Sequence, residues 1–157
     1  MKNILLVFVS VLFISCNNQN ESLSSTEIRS EVYTMMKSLV SDLNTDGIQS
    51  QLKYLDNSDK FQYTFLNSGK IYDYEELKKQ LEISSSTDYK VNLSFDEFKI
   101  TPLSDKLVSY SLILSGYERI DGQNSDISLV ETGTLIRRND GWKIINAQTT
   151  VTYPKIK

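Results

Sequence analysis

Ile28, Val32, Met35, Met36, Leu39, Val40 and Leu43 recur at helical spacing, which predicts a long amphipathic helix with an apolar face. Ser24 and Glu27 stand where a capping box would start it. The Met pair reads as adaptable core filler. Asn44-Thr45-Asp46-Gly47 breaks the pattern, and Ile48, Leu52 and Leu55 mark a shorter second helix that ends near Asp56-Asn57-Ser58. Phe61, Tyr63 and Phe65 then alternate with polar residues as far as Asn67-Ser68-Gly69, and Ile71-Tyr72 follows, as in a short hairpin. Asp73 can cap a third helix, with Tyr74, Leu77 and Leu81 on one face and Glu76 as capping-box partner; Ser84-Ser85-Ser86 closes it.

From Tyr89 the period changes to two. Tyr89, Val91, Leu93 and Phe95 share one face, while Phe98 and Ile100 fall out of phase, so a β-bulge near Asp96-Glu97 is expected to restore the phase and bend the strand. Thr101-Pro102 opens a turn. Leu107 to Glu118 and Ile127 to Arg138 form the next two strands around Asp121-Gly122, and Asn139-Asp140-Gly141 leads into a last strand from Trp142 to Val151. Short connections make these four long strands antiparallel. One long helix is available to cover the concave face of a curved sheet, which gives an α+β two-layer domain.

The N-terminus carries a separate signal. Lys2 precedes the apolar run Ile4 to Ile14, interrupted only by Ser10, and Ser15 then leads to Cys16, the only cysteine among the 157 residues. This is the layout of a secretory signal peptide, and the run is shorter than the roughly 20 residues a spanning helix needs. Phe13-Ile14-Ser15-Cys16 resembles the lipobox of bacterial lipoproteins, although Phe13 stands where Leu is usual. The resemblance implies cleavage before Cys16, its acylation, and a membrane held through the lipid anchor on the periplasmic or cell-surface face. Residues 1–15 are thus read as signal, 16–23 as a polar tether and 24–157 as one domain. A lone cysteine permits no internal disulfide, so the core must carry stability.

Composition excludes several kinds of chemistry. A net charge of −3 without a basic run gives no footprint for nucleic acid. Histidine is absent, which removes the usual general base, histidine-dependent triads and the commonest metal ligand. No metal or cofactor is expected.

Gly133-Thr134-Leu135-Ile136-Arg137-Arg138-Asn139-Asp140-Gly141-Trp142-Lys143-Ile144-Ile145 resembles the penultimate strand, turn and final Trp-Lys-Ile strand of SnoaL-like and DUF4440-type domains in the NTF2-like superfamily. That superfamily includes nuclear transport factor 2 and ketosteroid isomerase. The resemblance spans about Ser24 to Val151 and implies an NTF2-like (cystatin-like) cone. Relatives often carry histidine after the Trp-Lys-Ile run, where this chain has Asn146 and Gln148, which cannot take up a proton near neutral pH. The resemblance also places Trp142, Ile144, Asn146, Gln148 and Thr150 on the inner face. Val130, Thr132, Thr134 and Ile136 are assigned inward with them, as are Val108, Tyr110, Leu112 and Leu114; a single bulge would reverse any set.

Tyr110, Thr132, Trp142, Asn146 and Gln148 are therefore the expected pocket residues, polar points in an apolar cavity, unless the polar groups satisfy one another in a filled core. Ketosteroid isomerase, which works through carboxylate and tyrosine groups in an apolar site, needs no histidine. Candidate acids here are Glu131, Asp96 and Glu97, with Tyr33, Tyr63 and Tyr110 as donors; Glu131 is expected to face solvent, and none is assigned a catalytic role. The leading expectation is a non-catalytic cell-envelope module that binds a small apolar ligand or an envelope protein, with a homodimer possible in principle. The alternatives are a cofactor-free isomerase, cyclase or hydratase, and a structural or assembly protein. An enclosed pocket holding a carboxylate favours the enzyme, and an exposed apolar sheet face favours protein partners.

Overall fold

The computed structural model describes residues 23–153. The proposed signal, Cys16 and nearly all of the tether lie outside the described residues. Helix α1 (Ser25–Asp46) opens with the expected capping box, in which Ser24 Oγ accepts from the Glu27 amide and the Glu27 carboxylate accepts from the Ser24 amide. Its buried stripe is Ile28, Val32, Met36, Leu39 and Val40. Gly47, at φ 86°, ends it in a conformation that side-chain-bearing residues rarely adopt. The next segment, Ile48–Tyr54, is a 3-10 helix. Strands β1 (Gln62–Phe65) and β2 (Lys70–Tyr72) form the hairpin, and α2 (Tyr74–Ser85) follows with its Asp73–Glu76 capping box.

Four long strands complete the chain: β3 (Lys90–Pro102), β4 (Leu107–Ile120), β5 (Gln123–Arg138) and β6 (Gly141–Thr152). They pair antiparallel, and β3 carries the anticipated irregularity between Phe95 and Glu97. The six-stranded sheet has the order β2-β1-β6-β5-β4-β3, in which β1 runs parallel to β6. This parallel edge makes the sheet mixed. The sheet curves without closing, and α1 packs across it on β3 and β6 while α2 covers the β1 side. The result is an α+β cone with one apolar interior.

Register decides which side chains enter that interior. Cross-strand partners share a face, and β4 pairs with β5 without a break, matching Val108, Tyr110, Leu112 and Leu114 to Leu135, Gly133, Glu131 and Leu129. The β4 set lies inside as expected, so the β5 inner set is Ile127, Leu129, Glu131, Gly133 and Leu135. Thr132 is instead exposed on the outer face. In β6, Leu135 pairs with Ile144 but Thr134 with Asn146, which makes Ile145 an extra residue. That bulge reverses the phase. Trp142 and Ile144 lie inside before it and Ala147, Thr149 and Val151 after it, while Asn146 is half-buried and Gln148 exposed on the outer face.

Candidate functional site

Two rows of side chains across the sheet build the site. One row runs Tyr110, Gly133, Ala147, Tyr63 through successive strand pairs, with two large rings outside two small residues. The adjacent row is Leu112, Glu131, Thr149, Phe65. Because Gly133 has no side chain, the Tyr110 ring can lie over β5; a Cβ there would stand 2.7 Å from Tyr110 Oη and 2.3 Å from the Asn146 carbonyl oxygen. Ala147, fully buried, gives Tyr63 the same freedom from the other side. Both phenols consequently converge on the row that holds Glu131.

Glu131 is only 8% exposed. Its Oε1 accepts from Tyr110 Oη at 2.8 Å, and its Oε2 accepts from Tyr63 Oη at 2.7 Å and Thr149 Oγ1 at 2.6 Å. Tyr63 Oη and Thr149 Oγ1 also lie 2.7 Å apart. Four short contacts thus join these groups, whereas three hydroxyls bring three hydrogens. All three hydrogens can serve the carboxylate, and the Tyr63–Thr149 approach follows because both hydroxyls donate to the same Oε2. Burial, and then the neighbouring Glu131 charge, push the Tyr63 and Tyr110 phenols well above their ordinary range. They act as neutral donors.

Glu131, Tyr63 and Thr149 of this cluster line a partly open chamber of about 320 Å³, with Tyr110 behind them, within the size range of small-molecule sites. Helix α1 contributes Met36, Leu39, Val40 and Leu43, the 3-10 helix Ile48 and Gln51, and α2 Leu77, Gln80, Leu81 and Ser84. The sheet adds Tyr63, Phe65, Leu129, Glu131, Thr149 and others. Near one end, Tyr89 lines the chamber and donates to the buried Glu118 at 3.2 Å; burial, then Glu118, raises that phenol. Among the described residues, no group of three or more His, Cys, Asp or Glu side chains is placed to hold a metal ion.

Of the expected pocket residues, neither Tyr110 nor Trp142 lines the chamber: Tyr110 is buried behind it on Glu131, and Trp142 is buried near the tip of the β5–β6 hairpin, donating from Nε1 to Glu31 at 2.9 Å. Thr132, Asn146 and Gln148 face away from the chamber. Glu131 corrects the reading in the opposite sense: it points inward because its register partner Leu112 does. The other candidate acids stay outside, Asp96 accepting from Ser115 at 2.8 Å and Glu97 pairing with Lys99 at 2.8 Å, and Tyr33 is 49% exposed. Thr149, Glu118 and Tyr89 were not singled out as site residues. One signal for Glu131 was available, since Ile127, Leu129 and Leu135 make its alternation the more apolar of the two on that strand.

No protein-family model matches the chain, and no curated protein matches it in sequence. Solved structures do match, and they identify the cone as the NTF2-like fold. A ketosteroid isomerase-like protein from Erwinia carotovora atroseptica superposes with a TM-score of 0.66 at 15% identity, covering 86% of this chain and 99% of that one. An NTF2-like protein from Cytophaga hutchinsonii gives 0.62 at 14% identity, covering 83% and 100%. A candidate scytalone dehydratase from Novosphingobium aromaticivorans gives 0.66 at 13% identity, covering 84% and 90%.

Proposed function

We propose that this domain binds a small, mainly apolar molecule in its chamber, with Glu131 as the polar group that meets it, and that the chain is carried at a bacterial membrane through an acylated Cys16. The observation that carries the binding reading is Glu131 itself. Burying a carboxylate costs several kcal/mol, and a well-packed apolar side chain of similar volume would serve a core as well or better. Its placement on a chamber wall supports a ligand as the reason for keeping it. The apolar run and Cys16 support the anchor.

The chamber is tested by thermal melts with a panel of small apolar compounds, on the wild type and on Leu129→Trp, which fills the space from the sheet side. A ligand at a hundredfold excess over its Kd stabilises by about 2.7 kcal/mol. Compounds that raise the wild-type Tm are expected to leave Leu129→Trp unmoved. Equal shifts in both proteins, or none in the wild type, would count against the chamber.

A second reading is a cofactor-free proton-transfer enzyme of isomerase or dehydratase type. It is favoured by a buried carboxylate on the chamber wall with two phenols bonded to it, and by the names of two structural neighbours. Glu131 would take the proton, and Tyr63 and Tyr110 would donate to the developing anion or hold the carboxylate in place. Deuterium incorporation α to the carbonyl of 2-tetralone in D2O tests it: the wild type should accelerate exchange and Glu131→Gln should not. Equal rates would leave the binding reading alone.

A further inference from the structure

The interior surface is unbalanced in charge. The described residues place two buried acids on the inner face of the sheet, Glu131 in β5 and Glu118 in β4. No lysine or arginine lines the chamber. The ion pairs of the described residues lie elsewhere: Asp42 with Lys53, Asp56 with Arg138, Glu31 with Arg137. Three hydroxyls solvate Glu131, yet hydrogen bonds from neutral donors do not cancel a net charge. In a medium of low effective dielectric that charge attracts a cation strongly and repels an anion.

Resting on the binding reading above, we infer that the chamber takes a small apolar amine, held as its ammonium ion on Glu131 against the rings of Tyr63 and Phe65. An ammonium brings several N–H donors and the missing positive charge, whereas an alcohol brings one donor and no charge. Tyr63 and Phe65, with ring centroids 5.0 Å apart, both line the chamber beside the acid. Aromatic faces attract a desolvated cation as well. The other walls are mostly Leu, Val, Ile and Met, which suit a hydrocarbon body; Gln51, Gln80, Ser84 and Tyr89 are the polar exceptions. The chamber's volume of about 320 Å³ suits an amine of arylalkyl or medium-chain alkyl size.

Isothermal titration of the full chain with three probes of one shape, 2-phenylethylamine, 2-phenylethanol and 3-phenylpropanoate, separates the charges. The amine is expected to bind about tenfold or more tightly than the alcohol, with the carboxylate weakest. Glu131→Gln should abolish the amine's advantage, leaving amine and alcohol bound to that variant about equally. The wild-type series stands by itself if that variant does not fold. Alcohol binding as tight as amine binding would overturn the amine inference and leave the chamber intact. An amine preference that survives in Glu131→Gln would overturn it too, by putting the cation elsewhere. Binding of none of the three, together with no shift from the apolar panel, would remove the chamber reading and the inference with it.

Discussion

The hairpin end of the cone, with Asp56 buried and Glu31 half-buried, and the chamber, with Glu131 buried, treat their acids differently. Near the hairpin, Asp56 receives Arg138 through two bonds of 2.7 Å, one to each carboxylate oxygen, and Glu31 receives Arg137 at 3.2 Å and Trp142 Nε1 at 2.9 Å. Each acid there has a cation, and each pair ties one part of the chain to another: β5 to the loop before β1, and the hairpin to α1. Glu131 ties Tyr63, Tyr110 and Thr149 together but has no cation. The hairpin end uses charge to fasten the fold, and the chamber holds charge available to something else.

That contrast is broken most severely at Trp142. Truncation to Ala removes a large buried ring and strands part of Glu31, and should cost about 3–5 kcal/mol in chemical denaturation; a loss below about 1 kcal/mol would mean that the hairpin end is not a structural anchor. Arg138→Ala should cost about 1–3 kcal/mol, because Asp56 is nearly fully buried while the arginine is partly exposed and screened.

The Asp56–Arg138 pair also has a pH signature. The Arg138 hydrogen bonds, above all, hold the Asp56 carboxyl below its usual value. A group depressed in the folded state contributes stability above its unfolded pKa, and that contribution is lost as pH falls through the lower folded value. The stability gap between wild type and Arg138→Ala should therefore be full above about pH 5 and shrink in more acid solution. A gap independent of pH would show that Asp56 is not the partner that matters.

In the chamber the effects are smaller. Tyr110→Phe removes one of the three donors to Glu131 and should cost about 1 kcal/mol in the ligand-free protein. Smallest of all should be Gln148→Leu, on the exposed outer face, within about 0.5 kcal/mol. A loss of several kcal/mol at Gln148 would place it inside and undo the register described above.

Most of the architecture is readable from local pattern. Both capping boxes, the helix faces, the strand order and the β3 irregularity follow from spacing and turn residues alone, whereas β4 runs on to Ile120 and β5 starts at Gln123, before the expected Ile127, because the polar hairpin end stays paired. The site was less legible, for reasons of register. Ile144-Ile145 offers two apolar residues in succession, so alternation cannot show which is the extra one, and the inner face of β6 after it is left undetermined. The phase of β5 depends on its pairing with β4, which a strand read by itself does not reveal. The row Tyr110, Gly133, Ala147, Tyr63 needs the parallel β1–β6 edge, formed between segments far apart in the chain. Tyr63 and Tyr110 were recognisable as donors and Glu131 as a candidate acid, but not that Glu131 turns inward to meet them.

The central claim is that Glu131 is held for a ligand and contributes no net stability to the fold. The most direct test is the Tm of Glu131→Gln against wild type, without ligand, at neutral pH. The side chains are nearly the same size; the amide oxygen can accept from Tyr63 and Thr149, the amide nitrogen can donate to Tyr110 Oη in place of accepting from it, and the buried charge is removed. The account predicts a Tm equal to or above that of the wild type, as expected when an uncompensated buried charge is withdrawn. A Tm several degrees lower would show that the charge holds the tyrosines and the fold together, and would contradict the claim.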